Sequence, residues 1–228
     1  MEAVLPGDGA SYAISPAIGR VLARLVLDGS ARNVLEIGAG SSSRVLARAL
    51  MHSGGGRLTS IEQSPHWCRD EWAEVTATHG VDALMLVATP RLRVLREGVY
   101  YAYAGAAEAL AQRGPFDLLF IDAPQWYFGR DGGLHLAYDS LRQGAWIVLD
   151  DAGRPQERWA IRRWLQTYPG LEQVGFDSSL GRNGAAILRH SGDKTRRHPL
   201  GPLVSSSVHA SVNWITRKVR RLGVEAPA

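Results

Sequence analysis

The stretch Val34-Leu35-Glu36-Ile37-Gly38-Ala39-Gly40-Ser41-Ser42-Ser43 decides how the rest of the chain is read. Three aliphatic residues around one acid form a buried strand that runs into a glycine turn. Glycines at 38 and 40 let the backbone approach a ligand closely, and Ser43 to Met51 follows as a helix whose N-terminus offers unpaired N–H groups. Ser43 stands where the dinucleotide-binding fingerprint has its third glycine.

Outward from this turn, strands and helices alternate. Upstream, Ser15-Pro16 starts a helix with Ile18, Val21, Leu22, Leu25 and Val26 at helical spacing. Downstream, strands are expected at Leu58–Glu62, Ala83–Val87, Asp117–Ile121 and Ala145–Leu149. Helices are expected at Trp67–Thr78, around Glu108, at Leu134–Leu141, and through Arg158, Ile161, Trp164 and Leu165. Strands too apolar to face water point to a parallel sheet covered on both sides. The alternation stops at Leu171–Phe176 and Ala185–Leu188, two strands joined by a turn containing Gly181-Arg182-Asn183-Gly184, with no room for a helix. These should pair antiparallel. The expectation is a Rossmann-like, doubly wound α/β fold, with a mainly parallel seven-stranded sheet closed by an antiparallel C-terminal hairpin.

Composition narrows the class. The chain of 228 residues is 45% hydrophobic and 21% charged, ordinary for a globular protein. A single cysteine, Cys68, excludes an internal disulfide framework and a multi-cysteine zinc site, and reads as a buried structural thiol. The start, Met1 to Ala10, has no basic region followed by an apolar run, and no stretch approaches the ~20 apolar residues of a membrane span, so a cytoplasmic location is expected. Residues 189–228 hold eight of the 26 basic residues but only two of the 22 acidic ones. Their net charge is +6, which leaves −2 for the remainder. A domain over 1–190 and a basic appendage over 191–228 follow. In the appendage a linker precedes an amphipathic helix marked by Val208, Val212, Ile215, Val219 and Leu222. Packing on its own domain or on a second copy, as a homodimer, is preferred over a membrane contact.

The site residues cluster at strand ends. Glu62 ends the second strand, 22 residues after Gly40, where an acid can accept hydrogen bonds from ribose hydroxyls. Asp122, Asp150 and Asp151 end neighbouring strands and should meet at one sheet edge. Such acids either hold Mg²⁺ or act unaided, Asp122 or Asp151 serving as base, with His135 a further candidate. The structural alternative is that Asp151 caps the next helix. Arg130 and Arg154 lie in the loops after those strands, suited to an anionic acceptor or to a salt bridge with Asp131 or Asp150. Trp126, Tyr127 and Phe128, and the irregular Tyr100-Tyr101-Ala102-Tyr103, are candidates to wall a pocket.

Taken together, Ser15 to His190 resembles the class I S-adenosylmethionine-dependent methyltransferases. VLEIGAGSSS resembles their first motif, LTSIEQSP their second, and GPFDLLFIDAP and QGAWIVLDDAGRP their fourth and fifth strands. FIDAPQWYFGR and LDDAGRPQERWAIRRW resemble a bacterial group of small-molecule methyltransferases. The resemblance implies a cofactor site of Glu36, Gly38, Ala39, Gly40, Ser42, Glu62, Gln63 and Asp122, with S-adenosylmethionine as methyl donor. It implies a metal site of Asp122, Asp150 and Asp151, although metal-dependent relatives often carry Asn as the last ligand where this chain has Asp151. Trp126, Tyr127, Arg130 and Arg154 are then the acceptor-binding candidates. A small molecule methylated on a hydroxyl oxygen (a sugar, polyketide or phenol) is the expected acceptor.

Two other readings compete. A nucleic-acid methyltransferase is prompted by the basic tail, but the body is slightly acidic and lacks a basic stripe interleaved with aromatics. A nicotinamide-dependent oxidoreductase is disfavoured by the missing third glycine and the closing hairpin.

Overall fold

The computed structural model describes residues 13–221, with side chains through Val219. Residues 1–12, where no leader is read, and 222–228, which include Leu222, lie outside the described residues, and so do the side chains of Arg220 and Arg221. Helices α1 (Pro16–Leu27), α2 (Ser41–His52), α3 (Arg69–Thr76), α4 (Ala106–Arg113), α5 (Asp131–Ala137), α6 (Pro155–Thr167) and α7 (Leu200–Arg221) surround nine strands. Seven strands form the central sheet: β1 (Asn33–Ile37), β2 (Gly56–Glu62), β3 (Val81–Val87), β6 (Phe116–Ile121), β7 (Leu141–Asp150), β8 (Leu171–Asp177) and β9 (Ala185–His190). Their spatial order is β3-β2-β1-β6-β7-β9-β8. β1, β2, β3, β6 and β7 pair parallel, and β9 pairs antiparallel with both β7 and β8. The Rossmann-like doubly wound sheet with an antiparallel close is therefore present.

Alternation along the strands builds two cores. Leu35 and Ile37 of β1 join Leu119, Ile121, Ile147 and Leu149 under α4, α5 and α6. Val34 points the other way, with Leu58, Leu118, Phe120 and Val148, under α1, α2 and α3. Every residue of β1 and β6 is buried, as a strand covered on both faces requires. From β1 the chain builds outward to β2 and β3 on one side and then returns to β6 on the other, so β1 lies at the topological switch point where open α/β sheets form their ligand crevice.

Several boundaries differ from the sequence reading. The helix expected at Leu134–Leu141 starts earlier, at Asp131, and stops at Ala137, because Leu141 already opens β7. The helix expected from Trp67 begins with a 3₁₀ turn, Pro65–Cys68. A second, two-stranded antiparallel sheet, β4 (Pro90–Leu95) with β5 (Gly98–Tyr103), occupies a region read as irregular. Tyr100, Tyr101 and Tyr103 are buried in it, between α5 and α7. The basic linker is fastened to the body: Lys194 Nζ donates to the Tyr138 and Leu141 carbonyls at 2.9 and 2.6 Å, and Arg196 pairs with Glu97 and Asp139.

α7 packs with an unexpected face. Pro202, Ser206, Ala210 and Asn213 are its buried positions, whereas Val208, Val212 and Ile215 of the expected apolar stripe are exposed. Self-packing through that stripe is therefore corrected: small and polar residues make the contact. Gly132 sets the hairpin's closeness to α5, since an added Cβ would lie 2.0 Å from the Tyr101 carbonyl oxygen. We expect Gly132→Ala to lower the melting temperature, because that backbone clash exceeds the gain of about 1 kcal/mol alanine brings to a helix. Thermal unfolding followed by circular dichroism checks this, and an unchanged midpoint would contradict it.

Candidate active site

The glycine turn is built from beneath. Glu36, on the α2 side of β1, is fully buried and accepts from Ser43 Oγ at 2.5 Å and Ser60 Oγ at 2.6 Å. One carboxylate thus ties β1, β2 and the first turn of α2 together. Burial raises its pKa to about 7, although the hydroxyls of Ser42, Ser43 and Ser60 pull it down. Gly38 has φ +101°, and a Cβ there would lie 2.8 Å from the Ala123 Cβ, so both conformation and space demand glycine. A Cβ on Gly40 would meet nothing within 4 Å, so the turn is open on that side.

Glu62 ends β2 beside this opening. Its Oε2 accepts from the Ala39 amide at 3.2 Å and its Oε1 from Ser64 at 2.8 Å. A carboxylate has about four lone-pair sites, so acceptor capacity remains. Gln63 follows, half-buried, and Ser42 is buried in α2.

The three aspartates do converge. Asp122, Asp150 and Asp151 each offer a carboxylate oxygen within 4.8 Å of the others. Like charges at this spacing need a counter-charge, and Arg130 provides it. Its Nη2 lies 2.9 Å from Asp122 and 3.0 Å from Asp151, and its Nη1 donates to the Asp150 carbonyl at 2.7 Å. Burial opposes the Arg130 charge, but Asp122, Asp151, Glu157 and Asp150 outweigh it and raise its pKa. Burial also pushes the Asp122 carboxyl up to about 8, with Arg130 pulling it down and Asp150 and Asp151 adding to the rise. Asp150 is raised in the same way.

Asp151 does not cap the following helix. The N-cap position of α6 is Arg154, which instead pairs with Asp151 at 2.9 Å. Asp151 sits at φ +54°, a strained conformation for a residue with a side chain, and its Oδ1 accepts from Asn183 Nδ2 at 2.7 Å. The β8–β9 turn carries Asn183 there, held by Gly153 donating to the Asn183 carbonyl at 2.7 Å. The salt bridges expected for Arg130 and Arg154 with Asp131 or Asp150 are thus redistributed; Asp131 pairs with Arg163 at 2.6 Å.

His135 is not brought to the acids. It is buried between Tyr100, stacked at 4.1 Å, and Tyr168, whose hydroxyl lies 2.5 Å from Nδ1. Burial, with Arg196 and Arg163 nearby, drives its pKa down to about 3 and leaves it neutral. Trp126 is exposed, Tyr127 is half-buried with its ring 5.8 Å from that of Trp126, and Phe128 is buried beneath Arg217 of α7 at 4.2 Å. The Tyr103 hydroxyl is buried and, among the described residues, has no hydrogen-bond partner, while the charges of Glu62, Arg130 and Asp122 act on it. Sequence reasoning missed Asn183 and Ser60 as members of this edge, and named Tyr103 only among the aromatic candidates to wall a pocket. Asn183 had a local signal, an Asn-Gly pair between two strands; Ser60 had none.

A separate groove, lined by Arg32, Arg57, Asp117, Arg142 and Arg189, lies at the amino ends of the strands and takes no part in this edge. No curated protein matches the sequence. The fold resembles that of cofactor-bound Rv0187 from MTB, at 25% identity over 84% of this chain and 86% of that one, with a TM-score of 0.56. It also resembles the O-methyltransferase from Bacillus cereus in complex with SAH, at 23% identity, 83% and 86% coverage and a TM-score of 0.55. The third is the O-methyltransferase TomG from Streptomyces achromogenes, involved in tomaymycin synthesis and in complex with SAM, at 24% identity, 81% and 84% coverage and a TM-score of 0.53.

The Glu36 carboxyl yields a prediction about stability. A carboxyl raised from 4.5 to about 7 favours the folded state below its unfolded pKa and loses that contribution as pH rises through the folded value. Relative to wild type, Glu36→Gln should gain about 3 kcal/mol between about pH 5 and pH 8. Denaturant unfolding at each pH checks this, the difference removing any constant cost of the amide. A pH-independent difference would contradict it.

The profile of the methyltransferase domain matches residues 35–152, from β1 through the Asp150-Asp151 pair, and with this the chain belongs to the methyltransferase domain family.

Proposed function

We propose that this enzyme transfers a methyl group from S-adenosylmethionine to a hydroxyl oxygen of a small molecule. The observation that carries the reading is the meeting of a nucleoside-type cradle with three carboxylates at one sheet edge. The cradle consists of Gly38, Ala39, Gly40 and Glu62, with Gln63 and Ser42 beside it. Glu62 retains acceptor sites for ribose hydroxyls, the space above Gly40 is open, and the buried Tyr103 hydroxyl has no hydrogen-bond partner among the described residues. Glu36 serves from beneath by fixing the turn.

S-adenosylmethionine supplies an electrophilic methyl on a sulfonium. Asp122, once ionised, would take the proton of the acceptor hydroxyl, its carboxyl raised to about 8 making it a stronger base than an ordinary aspartate. Trp126 and Tyr127 wall the acceptor, and Arg130 and Arg154 hold the acids and neutralise them. The all-oxygen donor set of Asp122, Asp150 and Asp151 also suits Mg²⁺, which would lower the pKa of the acceptor hydroxyl. One observation favours a metal-free course instead: Arg130 already bridges Asp122 and Asp151.

The experiment is transfer of labelled methyl from S-adenosylmethionine to a panel of phenols, sugars and polyketides, before and after EDTA. We expect hydroxyl methylation, and for Asp122→Asn a loss of at least about 100-fold in turnover, far beyond any change in cofactor affinity. Loss with EDTA and recovery with Mg²⁺ assigns the metal course, and indifference to EDTA assigns the Arg130 course. Transfer only to RNA or DNA would contradict the reading.

A further inference from the structure

α7 is amphipathic in the wrong direction for a helix that merely packs on its own domain. Its contact with β5 and α6 is made by Pro202, Ser206, Ala210 and Asn213. On the opposite side Val204, Val208, Val212 and Ile215 recur at helical spacing, each between 48% and 61% exposed. Trp214 is half exposed on the flank, with Lys218 over its ring at 5.5 Å.

The hairpin carries exposed apolar residues of its own. In the β4–β5 register Leu92 faces Tyr101 and Val94 faces Val99, so these four share one side. α7 runs along the outer edge of β5: Ser206 Oγ accepts from the Val99 amide at 3.0 Å, and Arg217 lies over Tyr101 at 5.1 Å. Leu92 and Val94 of β4, across β5 from the helix, are 46% and 79% exposed. Four exposed aliphatic side chains in one row along α7 mark an interaction face.

Charge identifies the occupant. The sequence of α7 contains no acidic residue, and it ends in Arg217, Lys218, Arg220 and Arg221. Arg91, Arg93 and Arg96 of the hairpin are exposed. The hairpin's one acid, Glu97, is buried and neutralised by Arg196 at 2.5 Å. A second copy would bring the same acid-free surface, so no carboxylate would meet these cations. An anionic bilayer offers both hydrocarbon and negative charge, and no helix among the described residues is long and apolar enough to cross one. We propose that α7, with the β4 edge, seats the enzyme on an anionic lipid surface, the helix lying in the plane of the interface.

The test is flotation of the full chain with vesicles of phosphatidylcholine alone or with phosphatidylglycerol added, alongside sedimentation velocity without lipid. We expect a monomer that floats only with the anionic vesicles, less so as salt is raised. V208E/I215E and, separately, R91E/R93E should each reduce the bound fraction at least about tenfold. Both replace exposed side chains away from the proposed catalytic edge, and unchanged melting and S-adenosylhomocysteine affinity would certify the fold. Failure of the wild type to float, equal flotation with neutral vesicles, or a dimer that V208E/I215E dissolves would each overturn the proposal.

Discussion

The buried guanidinium of Arg130 is the interaction on which the site depends. Three carboxylates at the ends of two neighbouring strands repel one another in a setting with little water to screen them. Arg130 reaches two of them and the carbonyl of the third residue, so one side chain fixes the ends of β6 and β7 relative to each other. Its own position comes from the loop after β6, which α7 holds through Arg217 over Phe128. Arg154 and Asn183 complete the shell around Asp151, and its positive φ persists because these partners over-determine it. The antiparallel close of the sheet thus has a chemical consequence, since the β8–β9 turn delivers Asn183.

The other half of the edge is built by a different balance. Glu36 is held without a cation, by hydroxyls alone, and its raised pKa expresses the cost of that arrangement. Glu62, two strand positions beyond Ser60, keeps one oxygen on the Ala39 amide and so holds the open side of the turn in shape. Two acids of similar appearance in sequence therefore do different work. One lies under the loop as part of the framework, and the other lines the opening. Gly38 separates the two roles by letting the chain pass against Ala123 with no side chain between them.

The parallel body was legible because its strands are continuous apolar runs and each ends in a recognisable acid or glycine. Asp122, Asp150 and Asp151 were placed together from strand order alone, and the structure brings them together. The salt-bridge partners were not legible: Arg130 and Arg154 lie close in sequence to several acids, and only packing chooses among them. The β4–β5 hairpin carried a period-two signal in Arg91-Leu92-Arg93-Val94, but its strand faces solvent, where alternation of charged and apolar residues is weak evidence. The apolar stripe expected in α7 is exposed at Val208, Val212 and Ile215, which corrects self-packing through it and does not bear on contact with a second copy. Periodicity reports that a helix has two sides, and which side meets the body depends on shape, here small residues fitting against β5.

The central claim is that the glycine turn and Glu62 form a nucleoside cradle specific for the methyl donor. Calorimetric titration with S-adenosylhomocysteine, with NADH as a control, tests it most directly, using wild type and Glu62→Ala. The account predicts binding of S-adenosylhomocysteine to the wild type, a loss of at least about tenfold in Glu62→Ala, and no binding of NADH. Binding of NADH in its place, or an affinity for S-adenosylhomocysteine indifferent to the loss of Glu62, would contradict it.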